Sequence, residues 1–333
     1  MQSENDIPAT SPWKLYIDTG GTFTDCIAYD PEGAIHRRKV LSSSALRGTA
    51  SYDNPSDSLS VDVDKRIPDG FFIGYKFLFL DNPGDLYTIK AFDASKGSLA
   101  LDRSVRSFSN SRAFEIQSPE EAPVLAARLV TNTGPDEKFP PMQMRLSTTK
   151  GTNALLERSG AKTLFLITEG FSDLLHIRNQ QRPNLFSLNI QKPAPYYHHI
   201  VEVPERINSS GDILKPLDEK RLRKSLKSIP DGIEAAGICL MNSYRNNSHE
   251  QRVAEILREE GFSFISQSAM LSPEIKIVPR AITTDVNAYL NPIMEHYLSR
   301  ISDVIGGQSL RVMSSGGHLV EAGYYQPKDG LLS

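Results

Sequence analysis

The chain has 333 residues, of which 39% are hydrophobic and 23% are charged, and its formal net charge is −3. This length can bury one large hydrophobic core or two ordinary ones, and the lack of like-charged blocks argues against nucleic acid or a membrane surface as a partner. The longest apolar runs are strand-sized, the first residues do not resemble a secretory signal, and Cys26 and Cys239 are the only cysteines, so we expect a cytoplasmic protein with buried thiols.

A Gly-rich turn between two short strands is the first pattern along the chain. Alternating apolar residues predict one strand before Asp18 and another after Asp25. The two adjacent glycines between them would allow positive φ and a close approach of the backbone to a phosphate, with Asp18 facing the magnesium ion of that phosphate. A hairpin turn without a ligand fits the same residues. The groups that could face a phosphate are the N–H groups of Gly20 and Gly21 and the hydroxyls of Thr22 and Thr24.

A third strand and a small β module are predicted next. Polar alternation predicts a strand at 35–41, whereas residues 42–68 are rich in Ser, Asp and Asn and predict a linker or mobile loop. Short apolar runs separated by polar turns then predict strands at 70–80, 86–92 and 98–101. We therefore expect a small inserted β module at about 43–115, with no motif of its own.

The rest of the chain alternates between helices and strands. A helix is predicted to start near Ser118, and the hydroxyl-rich loop 147–153 opens onto a short helix that Gly160 would end as its C-cap. The remaining predicted strands lie at 163–168, 235–240, 262–266 and 310–313, and the helices at 217–229, 249–261 and 279–301. We expect a kink or break in the last helix at Pro292, and a second Ser- and Gly-rich turn at 314–318. This alternation is typical of α/β proteins.

Four motifs in this order resemble the hydantoinase/oxoprolinase family, which includes the hydantoinase A proteins and the ATP-using half of 5-oxoprolinase. They are residues 18–25, residues 148–157, residues 170–173 with 181–183, and residues 280–292. The resemblance covers most of the chain outside 43–115. It implies an α/β fold with an RNase H-like lobe, as in actin, sugar kinases and chaperone ATPases, together with an additional α/β subdomain and the inserted small β module.

The resemblance also implies domain boundaries. Residues 1–12 would be a disordered tail, residues 13–42 and 116–275 the N-terminal domain of the family, and residues 276–333 the start of a truncated hydantoinase A/oxoprolinase domain. The family has a second phosphate loop where this sequence stops, after Gly330. We therefore expect an N-terminal fragment that lacks the second phosphate loop and the adenosine site.

The resemblance implies roles for individual residues. Asp18 and Thr149 would be catalytic, and Asp18 would also bind Mg²⁺ through water. Thr148 and Thr149 fit helix capping as well as ligand contact, and Arg280 fits a pairing with an acid. The implied ATP-binding residues are Thr19, Gly20, Gly21, Thr22, Thr24, Ser315, Gly316 and Gly317. The implied substrate-binding residues are Thr148, Asn153, Asp173, Arg182 and Arg280.

The implied activity is the ATP- and Mg²⁺-dependent opening of a cyclic amide such as a hydantoin or 5-oxoproline, by phosphorylation of the amide oxygen. A sugar or acid kinase of the same fold, or a non-catalytic half that needs a partner chain, are the alternatives. The implied partner is a hydantoinase B-like subunit or a C-terminal domain, and we expect an oligomer. Leu146 and Ser147 replace the family's His-Gly, and His176 and Asn179 replace an acidic residue and an arginine, which leaves the substrate open.

Overall fold

The structure, a computed structural model, describes residues 11–53, 58–64, 67–179, 186 and 192–330. Arg182 and the first ten residues, which include most of the predicted tail, lie outside this description. The chain divides into two compact units. Unit 1 consists of residues 1–150 and 297–325, and unit 2 consists of residues 151–296 and 326–333.

The secondary structure confirms a mixed α/β protein. The strands are β1 (Trp13–Thr19), β2 (Phe23–Tyr29), β3 (Ile35–Leu41), β4 (Ala45–Asp53), β5 (Ser58–Val61), β6 (Lys76–Phe79), β7 (Asn82–Asp93), β8 (Ser98–Leu101), β9 (Arg112–Gln117), β10 (Met142–Thr148), β11 (Thr163–Thr168), β12 (His199–Val203), β13 (Arg206–Ile207), β14 (Ile213–Lys215), β15 (Ala235–Cys239), β16 (Phe264–Gln267), β17 (Ser309–Met313) and β18 (Leu319–Glu321). The helices are α1 (Ala122–Thr131), α2 (Lys150–Leu156), α3 (Leu174–Ile177), α4 (Glu219–Leu226), α5 (Ser248–Glu259), α6 (Ser268–Leu271) and α7 (Ile277–Ile305). Among the described helices, none combines the length and apolar character needed to span a bilayer.

Unit 1 is built on a sheet in the order β3-β2-β1-β10-β17-β18. Strands β1, β2 and β3 are antiparallel, while β10 runs parallel to β1 and β17 runs parallel to β10. Residues on one face of this sheet, such as Leu15, Cys26 and Met144, are buried, and helix α1 packs against β1, β2 and β3. Because side chains alternate between the faces of a strand, Asp18 on β1 lies on the opposite, exposed face.

The inserted β module is a closed barrel. Its strands follow the order β4-β5-β8-β7-β6-β9, and β4 also pairs with β9, which closes the ring. The expectation of a linker at 42–68 is therefore wrong, because β4 and β5 belong to the barrel wall. The sequence concealed β4 because the residues that this strand buries, Ala45 and Ala50, are small. A Cβ atom on Gly48 would lie 2.9 Å from the Phe114 ring, so no larger side chain fits at that position either.

We expect the barrel to be removable from unit 1. The two ends of the insertion are adjacent, since Ala45 pairs with Gln117 and the Ser118 N–H donates to the Ser44 carbonyl at 2.9 Å. Replacement of residues 45–117 by a short Gly-Ser linker should therefore leave the rest of the chain folded. Circular dichroism and urea unfolding of the deletion variant test this prediction. Loss of cooperative unfolding would show instead that the barrel belongs to the core.

Unit 2 contains a four-stranded parallel sheet in the order β12-β11-β15-β16. Its central strand β11 is buried along its whole length, as expected for a parallel sheet covered on both faces. Apolar residues of α4 and α5 form the core on one face. Phe165, Ile167 and Cys239 belong to a second hydrophobic cluster, which also includes Ala281 of α7. Strands β13 and β14 form a separate hairpin.

Helix α7 contradicts the break that was one of the two outcomes predicted at Pro292. The helix runs without a break from Ile277 to Ile305 and contains Pro292 in its interior. Proline removes one backbone hydrogen bond, but it does not end a helix whose side chains are held by packing. The neighbours Leu290 and Met294 are both buried, and this burial holds the helix on either side of the proline.

Candidate functional site

Three turns of unit 1 meet at one edge of its sheet. In the parallel register, Thr19 of β1 lies beside Thr148 of β10, and Leu146 of β10 lies beside Val312 of β17. The carboxyl ends of neighbouring parallel strands share an edge, where α/β proteins commonly bind ligands. We call the residues at these three ends the strand-end site: residues 18–22, 147–150 and 314–318.

The Gly-Gly turn after β1 is tight because of a close backbone contact at Gly20, not because of the positive φ that the sequence predicted. Neither Gly20 nor Gly21 adopts a φ in the left-handed region, so the expected use of positive φ is wrong. Glycine is favoured at position 20 by a close approach, because a Cβ atom there would lie 3.3 Å from the Phe23 carbonyl oxygen. The Gly20 N–H donates to that oxygen at 3.0 Å.

The side chains around this turn point in two directions. Asp18 and Thr22 are exposed. Thr24, predicted to contact phosphate, is buried, and its hydroxyl lies 3.1 Å from the Ser42 hydroxyl. Asp25 lies opposite Asp18, and its carboxylate accepts hydrogen bonds from Lys39 Nζ at 2.9 and 3.0 Å. The exposed groups of the turn are therefore the Asp18 carboxylate and the Thr22 hydroxyl.

The second strand end is fastened to the first. The Thr149 N–H donates to the Thr19 carbonyl at 3.0 Å, and the Thr149 hydroxyl lies 3.4 Å from the same oxygen. The Thr148 hydroxyl accepts a hydrogen bond from the Lys150 N–H at 3.2 Å and so satisfies the first N–H group of α2. These contacts fix the two strand ends relative to each other.

The third strand end is a hairpin turn between β17 and β18. The Ser314 N–H donates to the His318 carbonyl at 2.8 Å, and the Gly317 N–H donates to the Ser314 carbonyl at 2.9 Å. Gly317 has a φ of +79°, a backbone conformation that favours glycine at this position. The Ser314 hydroxyl accepts a hydrogen bond from the His318 N–H at 3.1 Å. Gly316 and Gly317 are exposed, while Ser315 is half-buried.

Tyr297 and Lys150 are neighbours of these strand ends that the sequence did not reveal. Tyr297 is 1% exposed, and Lys150 Nζ lies 4.7 Å from the centre of its ring. Burial raises the pKa of the Tyr297 phenol to about 12, and the nearby Thr19 and Thr148 hydroxyls partly offset that effect. Neither Tyr297 Oη nor Thr19 Oγ1 has a partner in hydrogen-bonding geometry within the described ranges. In the sequence, Tyr297 looks like any apolar position of a long helix.

Unit 2 holds the other predicted substrate residues that the structure describes. Asn153 lies on α2, and Asp173 is exposed just before α3. Glu202 holds the turn before Asp173, because its carboxylate accepts hydrogen bonds from the Gly170 N–H at 3.0 Å and from the Ser172 N–H at 3.3 Å. Their roles in substrate binding stay predictions.

Arg280, another predicted substrate residue, lies in the core of unit 2. It is 0% exposed, its Nη1 donates to the Ser243 hydroxyl, and its Nη2 donates to the Leu240 carbonyl at 2.8 Å. The neighbouring Glu250 carboxylate accepts hydrogen bonds from the Leu240 and Ala269 N–H groups at 3.0 and 2.9 Å. Burial raises the pKa of Glu250. The guanidinium of Arg280 thus stabilises the end of β15, and substrate contact by this residue stays a prediction.

The strand-end site fits a phosphate better than a metal ion held by protein alone. Its donors are N–H groups and hydroxyls, which suit phosphate oxygens. Among the described residues, no group of three His, Cys, Asp or Glu side chains is placed to hold a metal ion. Mg²⁺ is commonly bound by one or two carboxylates together with phosphate oxygens and water, and the exposed Asp18 carboxylate fits that pattern.

Comparisons with known proteins agree on one family. Residues 112–261 match the model of the hydantoinase/oxoprolinase N-terminal region. The chain is 34% identical to 5-oxoprolinase 1 of Arabidopsis thaliana over 247 residues, which are 64% of this chain and 20% of that protein. This chain spans about a fifth of the length of the first curated relatives that it matches.

Two solved structures share the fold. An ATP-dependent caprolactamase from Pseudomonas jessenii is 25% identical with a TM-score of 0.57, over 94% of this chain and 37% of that one. A nucleotide-free acetone carboxylase, described as carrying out ATP-dependent acetone carboxylation, has a TM-score of 0.60 at 18% identity, over 96% of this chain and 38% of that one. At 18% identity, the second likeness shows the fold alone.

Proposed function

This chain belongs to the hydantoinase/oxoprolinase family, and we propose that it is the nucleotide-binding part of an ATP-dependent enzyme that opens a cyclic amide. Both 5-oxoproline and caprolactam, the compounds in the names of two relatives, are cyclic amides. The single observation that carries the proposal is the strand-end site, where the ends of β1, β10 and β17 lie at the same edge of the unit 1 sheet.

The proposed site binds the phosphates of ATP. The N–H groups of the exposed Gly21, Thr22 and Gly316 are the proposed phosphate donors, because those of Gly20, Ser314 and Gly317 donate within the chain. Thr149 has an exposed side chain at the end of the neighbouring strand β10. Asp18 orients the hydrated Mg²⁺ that accompanies the phosphates. We infer an RNase H-like relationship for unit 1 from its order of strands, with three antiparallel strands followed by two parallel ones.

When bound, ATP would supply a phosphoryl group for the amide oxygen, with ADP as the leaving group. Water would then attack the activated amide carbon, the ring C–N bond would break and phosphate would leave. The protein's own contribution is to hold the phosphates in place and to neutralise their charge. Asp173 and Asn153 of unit 2 are the proposed substrate contacts. We expect the reaction to need a hydantoinase B-like subunit or a C-terminal domain, because the family model that matches covers an N-terminal region. We place the reaction in the cytoplasm.

Asp18→Asn tests the proposal. The substitution keeps the size of an exposed side chain, so folding should be nearly unchanged, whereas the Mg²⁺-dependent part of ATP binding should weaken about tenfold or more. Calorimetric titration with Mg·ATP, with and without EDTA, measures this effect. In a preparation that includes the partner, ADP release dependent on 5-oxoproline should be abolished.

Asp25→Asn is the matched control. Asp25 lies directly opposite Asp18 in the sheet and is also exposed, but its carboxylate is held by Lys39. We expect Mg·ATP affinity close to that of the unchanged protein in this variant. Equal effects of the two substitutions would contradict a specific role for Asp18. Formation of a phosphorylated sugar or acid, instead of ring opening, would identify a kinase.

A further inference from the structure

We infer that Lys150 is a phosphate-binding residue of the strand-end site and supplies the positive charge for the polyphosphate of the nucleotide. This inference rests on the proposed function and deepens it. Lys150 follows directly after Thr148 and Thr149 at the end of β10. It is the only lysine or arginine in the three segments that form the site, 18–22, 147–150 and 314–318.

The contacts of Lys150 place its ammonium group beside the first two strand ends. Nζ lies 4.7 Å from the centre of the Tyr297 ring, and the hydroxyl of that ring is close to the Thr19 and Thr148 hydroxyls. Thr19 and Thr148 are the paired last residues of β1 and β10. The ring therefore supports the cation next to the ends of β1 and β10.

The ammonium group has no strong competing partner among the described residues. Its distance to Glu121 Oε2 is 4.0 Å, which is the limit for an ion pair, and the side chain of Lys150 is 36% exposed. Glu121 is held more closely by Arg300, whose Nε donates to its carboxylate at 2.8 Å. A long, weakly held ion pair at a partly exposed site contributes little. A bound polyphosphate would offer the ammonium group a stronger partner than Glu121 does.

The charge balance of the site supports the same role. Its hydroxyls and N–H groups are neutral, and Asp18 contributes a negative charge. Triphosphate binding therefore requires cations, and Mg²⁺ neutralises only part of the charge. Lysine is a common phosphate-binding residue because its ammonium group is a compact charge on a flexible chain.

The test compares Lys150→Met, Lys150→Gln and Lys150→Arg by calorimetric titration with Mg·ATP, Mg·ADP and Mg·tripolyphosphate. We expect Lys150→Met and Lys150→Gln to weaken the binding of Mg·ATP and Mg·tripolyphosphate about tenfold or more, with a smaller loss for Mg·ADP. Lys150→Arg should restore most of the Mg·ATP affinity. The dependence of affinity on NaCl concentration should be less steep in the neutral variants, because one phosphate contact is lost.

A merely structural role for Lys150 predicts different results. If the lysine only held α2 against Tyr297, Lys150→Gln would lower the free energy of unfolding, Lys150→Arg would not restore Mg·ATP affinity, and the salt dependence of that affinity would not change. Lys138→Met, an exposed lysine elsewhere in unit 1, controls for the loss of net charge. Unchanged Mg·ATP affinity in a folded Lys150→Gln variant would overturn this inference alone. Lack of any Mg·ATP binding by the unchanged chain would overturn the proposed function as well.

Discussion

Gly160→Ala is expected to destabilise unit 2 by about 3 kcal/mol or more. A Cβ atom at position 160 would lie 2.1 Å from Cε1 of Tyr289 and 2.3 Å from its Cζ, far inside van der Waals contact. The ring cannot easily retreat, because it is buried with Ala154 and Leu290. The Tyr289 carbonyl also accepts a hydrogen bond from the Ala161 N–H at 3.0 Å. Urea unfolding of the variant measures the loss.

Gly151→Ala is the matched control for this substitution. Gly151 lies nine residues earlier, in α2, and a Cβ atom there would meet Met294 Sδ at an ordinary 3.7 Å. Because alanine favours a helix, this variant should be neutral or more stable by up to about 1 kcal/mol. Tyr289→Leu combined with Gly160→Ala should lose less stability than the sum of the two single variants. Equal stability of Gly160→Ala and the unchanged chain would contradict the close packing at this position.

The free energy of unfolding of Asp285→Asn, relative to that of the unchanged chain, is expected to increase from acidic to alkaline pH. Asp285 of α7 is 3% exposed, its Oδ2 accepts a hydrogen bond from the Tyr196 N–H at 2.8 Å, and its Oδ1 has no partner within the described part of the chain. Burial raises the pKa of this carboxyl group to about 7, although the Tyr196 and Tyr197 N–H groups and the charges of Arg178 and Arg158 lower it.

The direction of the pH effect follows from this shift. A carboxyl group whose pKa is higher in the folded than in the unfolded state binds more protons when folded, so stability falls as pH rises from the unfolded pKa of 3.8 to about 7. The asparagine does not ionise, yet it keeps an oxygen that can accept the Tyr196 N–H. Between pH 5 and pH 8, the stability of Asp285→Asn relative to the unchanged chain should increase by about 2–3 kcal/mol.

Unfolding in urea at both pH values, with Asp231→Asn as the control, checks this result. Asp231 is an exposed aspartate of unit 2, so its substitution should give the same difference from the unchanged chain at pH 5 and pH 8. The difference between the two variants isolates Asp285 from all other titrating groups. A difference that does not change with pH would mean that Asp285 titrates at the same pH in the folded and unfolded chains.

The sequence predicted the features that depend on neighbouring residues. The turn between β1 and β2, the buried cysteines and the strand β11 follow from alternation, glycine pairs and apolar runs within a few positions. Burial also raises the pKa of both thiols to about 12, which makes them poor nucleophiles. Local patterns of this kind are visible without any knowledge of the fold.

Features that depend on distant contacts could not be predicted in this way. Gly160 looked like a helix C-cap, but Arg158 adopts the left-handed φ of 51°, and glycine is needed at 160 for the Tyr289 ring. Strand β4 was concealed because its buried residues, Ala45 and Ala50, are small and Gly48 lies against the Phe114 ring. The contact of Lys150 with Tyr297 joins residues that are far apart in the sequence, so neither residue stood out there.

The most direct test of the central claim is a titration of the amide-labelled 333-residue chain with Mg·ATP, followed by NMR. The proposal predicts that shift changes concentrate at 19–22, 149–150 and 315–317, the three turns of the strand-end site, and that Asp18→Asn reduces them. Shift changes confined to residues of unit 2, or no changes at millimolar Mg·ATP, would contradict a phosphate site at these strand ends.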